Sequence, residues 1–456
     1  MKLTPIIGLE VHVELKTKSK MFCGCSADYF GKHPNTHTCP VCLGLPGALP
    51  VPNKRAIEWC IMIGLALNCD IPLFSKFDRK NYFYPDLPKG YQISQYDQPF
   101  AINGSLKLKV KNEKLKKEYE KTIRIRRVHQ EEDTGKLIHQ AVNGEKVSLI
   151  DFNRSGVPLV EIVTEPDFES AEEVIEYLKK LQQIVRYLGV SDANMERGEM
   201  RLEPNISLTP RISNFQFPIS NENLPKYKVE VKNINSFKFV EKAINYEIIR
   251  QTEILEKGET PLQETRGFVE VSNSTVSQRT KEEASDYRYF PEPDIPPFRW
   301  IKSQISNLKS QMPELPDKKL KRFGKEYSLS PSDAEILTRQ REVADYFEKA
   351  VNDGKKFKVS PKQISNYIIH KKPNMKEVLP ASLVQSIVQS TRVADVGEDK
   401  LRKVIEKVVK ANPKAAQDFK KGKENAIMYL VGQVMREFPQ RIDAEKIKAS
   451  LLAKLK

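Results

Sequence analysis

Ile6-Ile7-Gly8-Leu9-Glu10-Val11-His12-Val13-Glu14-Leu15 alternates strictly from Leu9 onward. Successive side chains of an extended chain point to opposite faces. Leu9, Val11, Val13 and Leu15 therefore share one face, and Glu10, His12 and Glu14 share the other. The run predicts a β-strand with one side for a core. Two carboxylates and an imidazole on the other side are what a divalent-metal or phosphate-transfer site needs. For this stretch alone the plainer reading, the wet face of an antiparallel sheet, is the better one.

Other short β-type runs have the same character, among them Thr122–Val128 and Lys228–Val231. Arg127-Val128-His129-Gln130-Glu131-Glu132-Asp133 puts a histidine and three carboxylates at a strand end, and alternation does not settle Glu131 against Glu132. Arg201, Glu203 and Asn205 fall on one side of their run, and Glu230 and Lys232 lie opposite Val229 and Val231. Strands that each turn acids toward one side imply a shared acidic basin, which is costly unless it holds cations. Mg2+ takes oxygen ligands and shares them with nucleotide phosphates. We therefore expect an ATP–Mg2+ site built on a sheet.

Lys76-Phe77-Asp78-Arg79-Lys80-Asn81-Tyr82-Phe83-Tyr84-Pro85-Asp86 interleaves cations with aromatics, and Asp286–Glu292 repeats the pattern. This suits phosphate clamping and stacking on a base or ribose. An amphipathic edge with snorkelling lysines is the alternative. Neither common Gly-rich phosphate loop is present. Lys16-Thr17-Lys18-Ser19-Lys20 lacks the partner motif of a class I tRNA synthetase. No nucleophile elbow is present, so nothing here looks able to hydrolyse glutamine.

Four of the six cysteines form Cys23-x-Cys25 and Cys39-x-x-Cys42. Two chelating thiolate pairs make a tetrahedral Zn2+ site, closed and hence structural. His33 and His37 lie between the pairs but are not needed. Cys60 and Cys69 sit in an apolar helical stretch and read as core.

The chain has 456 residues, 39% of them hydrophobic, and a net charge of +15. Mean hydropathy is −0.52, and the longest apolar stretch, Cys60–Cys69, is too short to span a bilayer. With no targeting pattern at Met1–Glu10, we expect a soluble protein of the bacterial cytoplasm, or an organelle form after removal of a transit peptide. Ser170–Leu188 reads as a helix with a capping box of Ser170 and Glu173. Asn103-Gly104 and Asn143-Gly144 read as hairpin turns. Pro291–Pro297 breaks both helix and strand, and apolar residues recur at helical spacing after it. We expect domains at 1–295, 296–411 and 412–456, the last starting at the Asn412-Pro413 break. Residues 400–456 hold fifteen Lys and Arg against six Asp and Glu. Charge alone leaves a polyanion-binding module and a solvated lysine-rich surface about even.

Residues 7–15 and 76–86, with Tyr91-Gln92-Ile93-Ser94-Gln95-Tyr96-Asp97-Gln98-Pro99, His129–Asp133, Asp286–Asp294 and Tyr429–Met435, resemble the B-subunit family of glutamyl/aspartyl-tRNA amidotransferases. The resemblance runs nearly end to end. It implies an α+β fold: a cradle domain with an antiparallel sheet, related to glutamine synthetase and guanido kinases, then an all-α domain and a YqeY-like tRNA-binding tail. It implies ATP-dependent activation of the side-chain carboxylate of Glu-tRNA(Gln) or Asp-tRNA(Asn). Amidation then uses ammonia from an amidase partner, the A subunit, joined by a small C subunit. The enzyme class is a carbon–nitrogen ligase with glutamine as amido donor.

By that resemblance His12, Glu132 and Glu230 are the expected Mg2+ ligands, with Glu132 chosen over Glu131 on the same ground. Glu10 and Glu203 are further ligands or supports of the Mg–ATP site. Glu203 stands where the family more usually has Asp. Lys80 and Arg79 stabilise phosphate charge, and Cys23, Cys25, Cys39 and Cys42 hold zinc. A non-enzymatic, zinc-stabilised tRNA-binding platform is the rival reading. It leaves the acid-bearing strands unexplained. A tRNA-independent ligase on a small carboxylate is a weaker rival.

Overall fold

The alternation from Leu9 to Leu15 places its strand in the middle of an eight-stranded sheet. The computed structural model describes residues 3–112, 117–210, 224–280, 287–391, 396–438 and 442–455; Asp286 of the expected motif lies outside them. In chain order the strands are β1 Leu3–Glu14, β2 Phe74–Ser75, β3 Asp78–Asn81, β4 Tyr91–Ser94, β5 Ala101–Asn112, β6 Lys117–Glu132, β7 Lys136–Val142 and β8 Glu145–Asp151. There follow β9 Pro158–Thr164, β10 Met200–Pro210, β11 Val229–Lys232, β12 Glu264–Val269, β13 Ser274–Thr280, β14 Arg288–Pro291 and β15 Phe298–Arg299. The large sheet runs β13-β12-β11-β10-β1-β9-β6-β5. It is antiparallel, as expected, except at β11–β12, which run parallel. A parallel pair needs a crossover, and the helix Phe237–Glu256 lies between the two strands in the chain.

Helices α1 Lys54–Ala66, α2 Ala171–Leu188 and α3 Phe237–Glu256 supply the residues that join the apolar face of the sheet in one core. Val11, Val13, Val160, Ile162, Val229 and Val231 are all fully buried in it. Each such side chain contributes about 1.5–3 kcal/mol relative to exposure. Ser170 caps α2 by accepting from the Glu173 amide, as expected. Glu173 accepts from the Glu169 amide rather than from that of Ser170, so the capping box is half formed. Its carboxylate also takes bonds from Tyr119 and Lys121.

Asn143-Gly144 does turn the β7–β8 hairpin, with both residues at positive φ. Asn103-Gly104 does not turn the chain but lies inside β5. Glycine is required there for close approach. A Cβ at position 104 would sit 2.3 Å from Cys69 Sγ and 2.9 Å from the Leu67 carbonyl oxygen.

The chain divides into two units, Met1–Pro316 and Asp317–Lys456. The first therefore extends past the boundary expected at 295. Ile295 is 3% exposed, β15 pairs with β2, and Leu308 of α4 (Lys302–Gln311) joins the first core. The proline-rich stretch is a turn inside this unit. The second unit is helical: α5 Pro316–Glu326, α6 Pro331–Thr338, α7 Arg341–Gly354, α8 Pro361–Lys371, α9 Pro380–Thr391, α10 Glu398–Ala411, α11 Pro413–Lys420, α12 Asn425–Arg436 and α13 Ala444–Leu455. It has two apolar clusters, one from Phe323 to Ile387 and one from Leu401 to Leu455. Leu401, Ile405 and Val408 of α10 belong to the latter. The break at Asn412-Pro413 thus falls within a module, not before one.

Gly104→Ala should lower the stability of the chain by about 1–3 kcal/mol, the usual cost of overpacking, in urea unfolding. Adding Cys69→Ala should recover part of the loss, since it removes the nearer of the two obstructing atoms.

Candidate active site

Cross-strand register assembles the polar face. On β1, Glu10 lies opposite Glu203 of β10, and His12 lies opposite Arg201 of β10 and Glu161 of β9. Asn205 lies opposite Glu230 of β11, and Glu161 opposite His129 of β6. Directly opposed residues of an antiparallel pair share a face, and Glu131 follows His129 at the two-residue period. Five strands thus turn acids and imidazoles to one side, opposite the core.

Two groups result, each with its candidate ligand atoms within 4.8 Å of one another: His12, Glu131 and Glu161, and Glu10, Glu203 and Glu230. In the first, His12 Nε2 is 3.5 Å from Glu161 Oε2 and 3.9 Å from Glu131 Oε2. His129 Nε2 approaches the same two carboxylates, at 3.2 Å and 3.3 Å. In the second, Lys232 Nζ lies 3.0 Å from Glu203 and 3.7 Å from Glu230. Asn205 Nδ2 donates to Glu10 at 3.1 Å, and Thr265 Oγ1 to Glu230 at 2.7 Å.

Burial by itself would depress His12, but the Glu161 hydrogen bond and the surrounding carboxylates raise it to about 9. Against its own burial, Glu161 is held well below the carboxylate range by His129 and His12. Burial, then Glu161, Glu203 and Glu230, push Glu10 up. Lys232 pairs with Glu203 and Glu230, but among the described residues no ion pair reaches Glu10. Asn205 Oδ1 beside Glu10 is buried with no hydrogen-bond partner among the described residues. A divalent cation with oxygen ligands answers both deficits, so the residues present fit Mg2+.

Of the residues expected from sequence, His12, Glu10, Glu203, Glu230 and Lys80 meet here. Lys80 Nζ lies 3.9 Å from Glu131 Oε1 and 5.0 Å from the Tyr287 ring. Glu132 does not join. It points to the other side of β6, where it pairs with Lys89 at 2.6 Å and accepts the Ile93 amide. Alternation leaves the pair open, and the structure places Glu131 on the cation side. Arg79 is also elsewhere. It neighbours Lys80 on the strand, so it faces away, and it is held by Glu292 at 2.7 Å and by Asp294. Glu161 belongs to the site although no expectation named it. Its strand, Pro158–Thr164, is buried throughout and reads as an apolar run. One signal was available: a single carboxylate in such a strand requires a partner. Glu14 shares the face but is engaged by Tyr29 and Arg201 beside Asp133.

The four cysteines come together as spaced, with all sulfurs within 4.8 Å. Cys39 and Cys42 Sγ are 3.8 Å apart, and an edge of roughly 3.8 Å follows from Zn–S bonds of about 2.3 Å. The Cys23 hydrogen bond and the Lys20 ammonium draw Cys42 down to about 4, and burial pushes Cys25 up to about 11. Four thiolates at once need a dication, and the donor set fits Zn2+.

Residues 5–306 match the GatB/GatE catalytic domain family, and residues 362–455 match the GatB domain family. The chain is similar to the B subunit of the aspartyl/glutamyl-tRNA(Asn/Gln) amidotransferase of Thermomicrobium roseum, at 46% identity over 97% of this chain and 96% of that protein. It is 44% identical to the protein of the same name from Carboxydothermus hydrogenoformans, over 99% of this chain and 98% of the relative.

Glu131→Gln and Glu161→Gln should each weaken Mn2+ binding by about tenfold or more, the scale of losing a ligand or its support. Glu132→Gln should leave it nearly unchanged. The free Mn2+ signal in electron paramagnetic resonance reads both outcomes.

Proposed function

This chain belongs to the GatB family, the B subunits of aspartyl/glutamyl-tRNA(Asn/Gln) amidotransferase, and from that premise we propose that its basin activates a mischarged aminoacyl-tRNA with ATP. The substrate is Glu-tRNA(Gln) or Asp-tRNA(Asn). The observation that carries the reading is the pair of three-residue cation groups on one sheet face.

The side-chain carboxylate of the misacylated residue is a poor electrophile, because neither oxygen is a good leaving group. One oxygen attacks the γ-phosphorus of ATP, the bond to the bridging oxygen breaks, and ADP departs with that electron pair. The acyl phosphate formed on the substrate is then attacked by ammonia at its carbonyl carbon. Phosphate leaves, the nitrogen sheds a proton, and the amide remains. Phosphoryl transfer depends on positioning and charge neutralisation more than on covalent help from the protein.

When bound, Mg2+ supplies neutralisation of the phosphate oxygens. His12, Glu131 and Glu161 would hold one ion, and Glu10, Glu203 and Glu230 a second. Lys80 keeps its charge despite burial because Glu131 and Glu161 face it. It offers an ammonium to the phosphoryl oxygens. Lys232 does the same from the other end. Glu132 and Arg79, held by Lys89 and Glu292 respectively, take no part.

Ammonia comes from an amidase partner, the A subunit, joined through a small C subunit in a heterotrimer. The fuller activity is that of a glutamine-dependent carbon–nitrogen ligase of bacterial-type cytoplasm. The cradle is related to glutamine synthetase and guanido kinases, the cysteine site is structural zinc, and the basic tail grips the tRNA. A non-enzymatic tRNA platform supplies no reason for a buried face of acids and imidazoles.

Glu230→Gln or His12→Ala should abolish ATP-dependent amidation of mischarged tRNA supplied with ammonium. Either variant, folded and fully active, would sink the site. Lys80→Met should lower kcat about 10²–10³-fold, as removal of a transition-state charge partner does. Truncation ahead of α10 should weaken tRNA binding and spare ATP binding. Truncation at Asn412 should in addition leave Leu401, Ile405 and Val408 bare and promote aggregation. Filter binding and light scattering distinguish the two.

A further inference from the structure

Lys20 is a lysine with no exposure to solvent. Its side chain runs beneath the cysteine cluster. Nζ donates to the His37 carbonyl at 2.7 Å, to the Phe152 carbonyl at 3.3 Å and to Cys42 Sγ at 3.7 Å. An ammonium has three N–H groups, so each has an acceptor. Two of these acceptors are neutral. Among the described residues no carboxylate pairs with Lys20. A buried ammonium is expensive unless a negative charge lies next to it, and the sulfurs are the groups that can provide one. The backbone around it is in ordinary contact with the same groups. A Cβ on Gly156 would come to 3.5 Å from both the Lys20 stem and Cys42, and the Lys20 amide donates to the Cys25 carbonyl at 2.9 Å.

We propose that Lys20 is the buried counter-cation of a tetrathiolate metal centre, a positioning residue that offsets the net negative charge of four thiolates around one dication and orients Cys42 by an N–H···S bond. The proposal rests on the zinc reading of Cys23, Cys25, Cys39 and Cys42. It adds that the centre is tuned from inside the fold, by a cation set directly against one ligand.

The test compares the full chain with Lys20→Met, each loaded with zinc and separately with cobalt. Competition against a chromophoric chelator should show zinc affinity lower by about tenfold or more in the variant, the range for loss of a group supporting a ligand. The sulfur-to-cobalt charge-transfer band should move to longer wavelength, because an uncompensated Cys42 sulfur gives up its electron more readily. Lys20→Gln, which keeps an amide donor for the two carbonyls but carries no charge, should show the same shift and serves if Lys20→Met does not fold. Wild-type affinity with an unmoved cobalt band would overturn the proposal, even if the variant melted earlier, since that pattern marks a purely structural lysine. A parent chain that binds neither zinc nor cobalt would overturn it differently, by removing the centre itself.

Discussion

Carboxylates from five neighbouring strands cannot share one face of a sheet without positive charge among them. Most of the first unit follows from meeting that condition. The apolar side of the same strands is covered by α1, α2 and α3 in a single core, which holds the strands in register and leaves the acids no freedom to separate. His129, Lys80 and Lys232 answer part of the charge. The rest gathers in two groups that could hold a divalent ion. Packing and electrostatics therefore pull against each other here: the packing that fixes the face also forces its like charges together.

The central strand was legible because its period of two is local. Each residue from Leu9 to Leu15 declares its side without knowledge of its neighbours. Which acids meet across strands was only partly legible. Glu10, His12, Glu203 and Glu230 stood out because polar residues alternate with apolar ones. Glu161 did not, because its strand is buried along its whole length and the pattern offers no wet face. Glu131 and Glu132 could not be separated by alternation at a strand end, where either phase is open. Arg79 shows the same limit from the other side. Its commitment to Glu292 joins residues far apart in sequence, and composition around Arg79 alone suggests phosphate. The boundary near 295 failed for a related reason. Prolines mark a turn, but only the pairing of β15 with β2 tells whether the chain then leaves the domain.

The cysteine knuckle is fastened to the end of β8 and to the segment that joins it to β9. Asn35 donates to the Ile150 carbonyl and its backbone amide to Asp151, the His37 amide donates to Asn153, Ser155 donates to the Cys42 carbonyl, and the Met21 amide to that of Gly156. From the same segment Arg154 reaches Asp133, next to Glu132 at the end of β6. A metal at the knuckle would thus brace both the strand that carries Glu161 and the one that carries Glu131, without touching either carboxylate.

The long reach of β1 also bears on synthesis. Leu9 donates its amide to Thr164 Oγ1, 155 residues further on, and the other flank is supplied later still, by β10. Contacts so distant close slowly, and apolar strands waiting for partners are prone to stick to one another. β1 is thus made long before either of its neighbours in the sheet, β9 and β10. Its hydrophobic side needs shelter while the next two hundred or so residues emerge, roughly ten to forty seconds at about 5–20 residues per second.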